Sequence, residues 1–201
     1  MSFEIRLAEE RDAAAIAAIY APYVFGSPVS FETEAPDATE MARRIDTLLQ
    51  THPWLVCETG DGKTIGYVYG SPHRARAAYC WACEVSVYIN PEYRRYGVAR
   101  GLYASLFACL RLLGYVQAYA GITLPNAASV GLHEALGFEP VGVYKRIGYK
   151  AGAWHDVGWW GLELQAPAET PVPPTKLPDV LESAEWQQAL AVGKGLIRLP
   201  Y

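Results

Sequence analysis

The chain is short of sulfur and of charge. It holds 4 cysteines and 2 methionines in 201 residues. Thiols this sparse build no disulfide scaffold, and they point to a reducing, cytoplasmic setting. Charged residues make up 19 %, with 17 basic against 21 acidic side chains and a net charge of −4. That balance excludes a protein that grips nucleic acid through overall charge, although a local basic patch stays possible. No apolar run approaches the ~18 residues that a membrane-spanning helix requires. The opening MSFEIRLAEERD is charged from Glu4 onward and lacks the apolar centre of a secretory signal. No internal repeat is visible. What is plentiful is hydrophobic residues, 51 % of the chain, enough to bury a core.

Patterning divides the chain into alternating elements. Ile16, Ile19 and Tyr20 lie at helical spacing, so residues 9–20 are expected as a helix that Pro22 ends. Asp37-Ala38-Thr39-Glu40 has the form of a capping box opening a helix through residue 50. Residues 54–58 and 64–69 read as strands joined by the Gly60-Asp61-Gly62-Lys63 turn. Residues 79–89 form the most apolar strand, stopped by Asn90-Pro91. Val98, Leu102, Leu106 and Leu110 place a stripe along a helix over 97–113, with Gly114 at its C-terminal end. A strand over 115–122, a short helix over 126–136 closed by Gly137, and strands over 141–149 and 157–164 follow. This order predicts an α/β domain with a mixed sheet over residues 1–165.

Composition then changes. Five prolines lie within 167–178, which predicts an extended strap, with a terminal helix over 179–192. Residues 166–201 are therefore expected as a surface appendage to the domain.

Three features bear on chemistry. The first is Arg94-Arg95-Tyr96-Gly97-Val98-Ala99-Arg100-Gly101, between the apolar strand and the striped helix. Glycines admit close backbone approach, helix-start amides favour anions, and the arginines add charge-assisted contacts, so the segment suits a phosphate group. The second is Glu84, the one charged residue between Arg76 and Glu92. A carboxylate desolvated by an apolar strand, or facing a cleft, suits a general base. The third is Cys80-Trp81-Ala82-Cys83. On a regular strand its sulfurs point to opposite faces, and no second ligand pair completes a metal set, so a redox or zinc role is not expected.

Taken together these residues resemble the GNAT superfamily of N-acetyltransferases. Arg94-Arg95-Tyr96-Gly97-Val98-Ala99 matches its R/Q-x-x-G-x-G/A loop, and Asn126, Ser129, Gly137 and Phe138 match a later loop and short helix. The stretches 29–34, 52–56, 79–89, 124–126, 133–137 and 154–158 are similar to the phosphinothricin acetyltransferase group within it. The resemblance implies a GNAT fold, with a mostly antiparallel sheet whose two parallel strands splay apart. It implies an acyltransferase moving acetyl from acetyl-CoA, with no metal, to the amine of a small anionic amino acid of phosphinothricin, methionine sulfoximine or methionine sulfone type. Val87, Tyr88 and Ile89 match backbone that pairs with the pantetheine, residues 94–101 the pyrophosphate loop, and Asn126 and Ser129 the coenzyme-binding helix start. Glu84 matches the base. His133, or Tyr103, matches the group that protonates the leaving thiolate. Arg74, Arg76 and Tyr79 match acceptor-site positions, and two guanidinium groups favour an anionic acceptor. Phe31 matches a residue offered to a neighbouring subunit, which implies a homodimer. The alternative is a CoA-binding or ligand-sensing module without turnover.

Overall fold

A computed structural model describes residues 2–200. Among them, seven strands form one sheet in the order β1-β2-β3-β4-β5-β7-β6, with five helices against its faces. The strands are β1 (Phe3–Leu7), β2 (Trp54–Thr59), β3 (Thr64–Pro72), β4 (Ala82–Ile89), β5 (Gln117–Leu124), β6 (Glu139–Lys150) and β7 (Ala153–Glu163). The helices are α1 (Ala13–Phe25), α2 (Ala38–Leu49), α3 (Val98–Leu113), α4 (Ala127–Glu134) and α5 (Ala184–Ala191). The β4–β5 pair is parallel and the other five pairings are antiparallel.

The sheet separates two cores. On one face Trp54, Val56 and Tyr67 pack beneath Ile16, Ile19 and Tyr20 of α1 and Met41 and Ile45 of α2. On the other, Leu55, Val68, Cys83 and Val85 meet Leu102, Leu106 and Leu110 of α3. Period-two alternation along β4 thus sends Cys83 and Val85 to the α3 face and leaves Glu84 on the opposite one.

Local chemistry sets the helix ends. Asp37 Oδ1 accepts the Glu40 N–H at 2.8 Å and starts α2. Gly97 and Gly114 flank α3 with φ of +80° and +92°, backbone that glycine adopts without steric cost. Two expectations near the N-terminus change. α1 runs through Pro22 to Phe25, because Val24 continues the buried stripe and Pro22 still accepts a bond from Gly26. The helix also starts later than expected: Glu10–Asp12 form a 3-10 turn and α1 begins at Ala13, preceded by the unexpected β1, whose Ile5 is buried and whose Arg6 ties the strand to Asp12 and Glu58.

The C-terminal segment is not a surface appendage. Thr175 N–H bonds the Leu113 carbonyl, which lays the strap along the end of α3. Leu177, Trp186, Leu190 and Ile197 are buried in the α3 core. Ser105 Oγ donates to the Leu190 carbonyl at 2.8 Å and accepts from Gly193 N–H at 3.1 Å. The tail ends against the start of α3, where Arg198 N–H bonds the Tyr96 carbonyl at 2.8 Å.

Candidate active site

The register of the parallel pair creates the central cleft. β4 and β5 pair at Ala82↔Gln117, Cys83↔Ala118 and Glu84↔Tyr119, and pairing stops there. Beyond Glu84 the strands diverge, so the edge of Val85–Ile89 that faces β5 has no strand beside it. A ligand with amide groups can take the missing strand's place. Glu84 stands at the point of the wedge.

Two cavities follow the wedge. The outer one, about 490 Å³, is lined by Val87, Tyr88, Ile89, Arg94, Ala99, Asn126 and Ser129, together with Tyr23, Val29 and Leu132. Tyr23 was not anticipated from sequence. Its hydroxyl donates to the Ile89 carbonyl at 2.9 Å and accepts from Arg94 at 3.0 Å, so that carbonyl is already engaged. Asn126 Oδ1 caps α4 by accepting Ser129 N–H at 3.1 Å. The inner cavity, about 70 Å³, is lined by Val85, Ser86, Tyr88, Tyr103, Ile122, Ser129 and His133.

The arginine-glycine segment forms the turn into α3. Arg95 has φ of +67° and Gly97 +80°, which exposes successive amides at the helix start. Arg94, Arg95 and Arg100 are exposed, whereas Val98 is buried in the core and Tyr96 is half-buried. The glycines also meet a packing demand that was not expected. The side on which Gly97 would carry a Cβ is filled by the Leu196 carbonyl, and a Cβ at Gly101 would lie 2.6 Å from Ile197 Cγ1 and 2.8 Å from the Gly193 carbonyl oxygen. Their bareness admits the tail.

Inside the cleft, Tyr103 Oη lies 2.9 Å from His133 Nε2. His133 Nδ1 lies 2.8 Å from the Ser129 carbonyl, which only accepts, so Nδ1 carries the hydrogen. Nε2 therefore accepts from the Tyr103 hydroxyl. Burial pushes the His133 imidazole down, against the opposing bond to Ser129, and burial pushes the Tyr103 phenol up. Both groups are neutral near pH 7.

The other end of the wedge belongs to Glu84. Its side chain is 33 % exposed, so it is not sealed in the apolar strand. Oε1 accepts from His73 Nδ1 at 3.1 Å and from Arg74 Nη1 at 3.4 Å. Arg74 also lies over the Trp159 ring at 5.8 Å. Arg76 and Tyr79 line a separate cavity of about 540 Å³ with His52, Tyr115 and the strap residues Pro173 and Pro174, and Arg74 borders it too. Phe31 packs on Gly148 and lies 6.3 Å from the His155 ring of its own chain. Lys150 fixes that loop by donating to the Val24 and Ser30 carbonyls. His73, Tyr119 and Trp159 escaped sequence reasoning, because a lone histidine in a loop and aromatics on late strands carry no periodic or spacing signal. Among the described residues no cluster of His, Cys, Asp and Glu could hold a metal ion, and no helix is long and apolar enough to cross a membrane.

This architecture has known counterparts. Residues 5–159 match the family model described as an acetyltransferase (GNAT) domain. The chain is similar to a phosphinothricin N-acetyltransferase of Streptomyces viridochromogenes, 40 % identical over 82 % of this chain and 90 % of that one. It is 33 % identical to an L-methionine sulfoximine/L-methionine sulfone acetyltransferase of Pseudomonas aeruginosa, over 85 % of this chain and 100 % of that one. The fold is similar to a GNAT superfamily phosphinothricin acetyltransferase from Sinorhizobium meliloti solved in complex with AcCoA. That likeness has a TM-score of 0.79 and 33 % identity, and covers 88 % of this chain and 99 % of the other. The wedge between β4 and β5, the helix-start turn below it and these matches lead to one conclusion: the chain belongs to the GNAT family and is an acetyltransferase.

Proposed function

We propose that the chain moves acetyl from acetyl-CoA to the amine of a small anionic amino acid or analogue, of the phosphinothricin, methionine sulfoximine or methionine sulfone type. The observation that carries this is the end of β4–β5 pairing at Glu84, which leaves open strand backbone beside a carboxylate. The names of the relatives support the acceptor class.

In this reading the coenzyme arm lies along Val87 and Tyr88, with Asn126 and Ser129 opposite. Its diphosphate rests on the amides of residues 95–100, with Arg94, Arg95 and Arg100 balancing its charge. The thioester end reaches the inner cavity. Glu84 receives the proton that leaves the acceptor ammonium, directly or through an intervening group. The free amine then attacks the thioester carbonyl, and the backbone N–H near Tyr88 steadies the developing oxyanion. The Tyr103 hydroxyl, which lines the inner cavity, turns from His133 to give its proton to the departing thiolate and then takes one back from solvent. Arg74 attracts the acceptor's carboxylate or phosphinate, with Arg76 and Tyr79 in the adjoining cavity that Arg74 also borders.

A homodimer fits the same reading. β6 is an edge strand, and Val141, Ile147, Tyr149 and Trp154 of the β6–β7 hairpin are more than half exposed. Such a row is a surface that a second copy covers. The four free thiols support work in the reducing cytoplasm. Residues 1–165 form the acetyltransferase unit, and the strap and helix of 166–201 complete its α3 core.

The test is thiol release from acetyl-CoA against a panel of amines. Turnover with anionic amino acids and little with polyamines is expected. Tight acetyl-CoA binding with no acetylation of any amine overturns the proposal in favour of a sensing module.

A further inference from the structure

The acceptor end of the wedge holds an imidazole that the scheme above does not use. His73 follows directly on β3, whose last register pairs are Ser71↔Glu84 and Pro72↔Cys83. The strand therefore delivers His73 beside Glu84. The ring is clamped by aromatics from three elements. It stacks on Tyr119 of β5 at 4.7 Å and 24°, and meets Trp159 of β7 edge-on at 5.8 Å and Tyr79 edge-on at 6.2 Å. Its side chain is 15 % exposed.

The hydrogen bond sets the tautomer. An ionised carboxylate only accepts, so the 3.1 Å contact to Glu84 Oε1 puts the hydrogen on His73 Nδ1. Nε2 then carries the lone pair, and among the described residues it has no hydrogen-bond partner. A carboxylate on Nδ1, a fixed ring and a free Nε2 are the arrangement by which an imidazole is made a general base. The charged groups facing the ring are Glu84 from β4 and Arg74 from its own loop; Tyr79 and Tyr119 are the titratable neighbours from the remaining elements.

We propose that His73 is the proton acceptor of the acyl transfer, oriented and charge-balanced by Glu84. The inference rests on the acetyltransfer reading above and replaces direct transfer to Glu84 with transfer through His73. One ammonium N–H bond of the acceptor breaks as the Nε2–H bond forms. The imidazolium so made is paired with the Glu84 carboxylate, and its proton leaves to solvent from the partly exposed ring. The freed amine lone pair makes the new bond to the acetyl carbon. Histidine suits the task because its ordinary titration range lies nearest neutral pH.

Two substitutions separate a proton acceptor from a positioning donor. In His73→Asn the amide N–H takes over the bond to Glu84, but no lone pair takes a proton. His73→Phe keeps the stack on Tyr119 and removes both nitrogens. Each is expected to lower kcat about 100-fold, the size of a lost general base, and to move the acid limb of the kcat/KM profile while the KM for acetyl-CoA stays within about twofold. The double variant with Glu84→Gln is expected to be no slower than the worse single one, because the two residues act as a unit. A His73→Asn enzyme with near wild-type kcat, an unmoved acid limb, or additive losses in the double variant would overturn the proposal. If wild type turns over and both His73 variants match it, the dyad alone falls. If wild type acetylates no amine of the panel, the parent scheme and the dyad fall together. The unchanged acetyl-CoA KM guards against a misfolded variant, and either substitution suffices if the other does not fold.

Discussion

Gly97→Ala loads two penalties onto one residue. The φ of +80° is left-handed, where a Cβ costs about 1–2 kcal/mol. The new methyl group would also press on backbone, with the Leu196 carbonyl carbon at 3.1 Å and Ile197 Cα at 3.5 Å. Backbone does not swing aside as a flexible side chain does, so the tail must lift. Lifting it breaks the Arg198 N–H bond to the Tyr96 carbonyl, worth about 1 kcal/mol net. It also uncovers part of Ile197, now 3 % exposed, at a further cost of about 1–2 kcal/mol. The sum is about 3–5 kcal/mol, which for a chain of this length lowers Tm by roughly 10 °C or somewhat more. Thermal unfolding of four proteins decides the matter: wild type, Gly97→Ala, a chain ending at Val192, and the two changes combined. In the shortened chain the clash is gone and only the left-handed cost of about 1–2 kcal/mol remains. Equal penalties in both backgrounds would refute contact between tail and turn. A neutral Gly97→Ala would refute the left-handed backbone itself.

Other outcomes follow from the same geometry. Glu84→Gln is expected to lower kcat by about 100-fold or more with little change in acetyl-CoA KM; a near-normal rate at neutral pH removes Glu84 from the chemistry. His52 is buried, and burial pushes its imidazole down to about 4, while an unfolded histidine titrates near 6.5. Between those values the unfolded chain binds a proton that the native one refuses. Stability is therefore full above pH 6.5 and declines toward pH 4 by about 3 kcal/mol, a slope that His52→Leu should flatten in denaturant titrations. Burial lifts the Cys57, Cys83 and Cys109 thiols to about 12, so a thiol reagent at pH 8 should label half-buried Cys80 first and the others only after denaturation. Rapid labelling of several native thiols contradicts the packing.

Much of this molecule is legible residue by residue, where the signal is local. The α3 stripe, the Asp37 cap, the alternation along β4 and the Gly114 ending each depend on a few neighbours in the chain. Features that depend on distant partners were not. β1 is only Phe3–Leu7, too short to announce itself, and it exists because β2 lies beside it. Pro22 reads as a stop, yet the buried stripe through Val24 holds the helix together past it. Glu84 was legible as an isolated carboxylate in an apolar strand. Arg74 was marked for the acceptor site only through the family resemblance, and His73 was not marked at all, since it reaches the carboxylate only through the β3–β4 register. Gly97 and Gly101 were marked for close approach to a ligand. The approaching backbone on their bare side is the chain's own tail, and no local pattern reveals that.

The bracing of that turn by Gly193–Arg198 has a consequence for biosynthesis. Chains fold from the N-terminus as they are made, so the whole sheet and α3 can assemble before the last residues appear. The bend at Tyr96 and Gly97 gains its rear support only once residues 193–198 have been made. A nascent or prematurely stopped chain lacking those few residues would have every strand in place and a slack turn into α3.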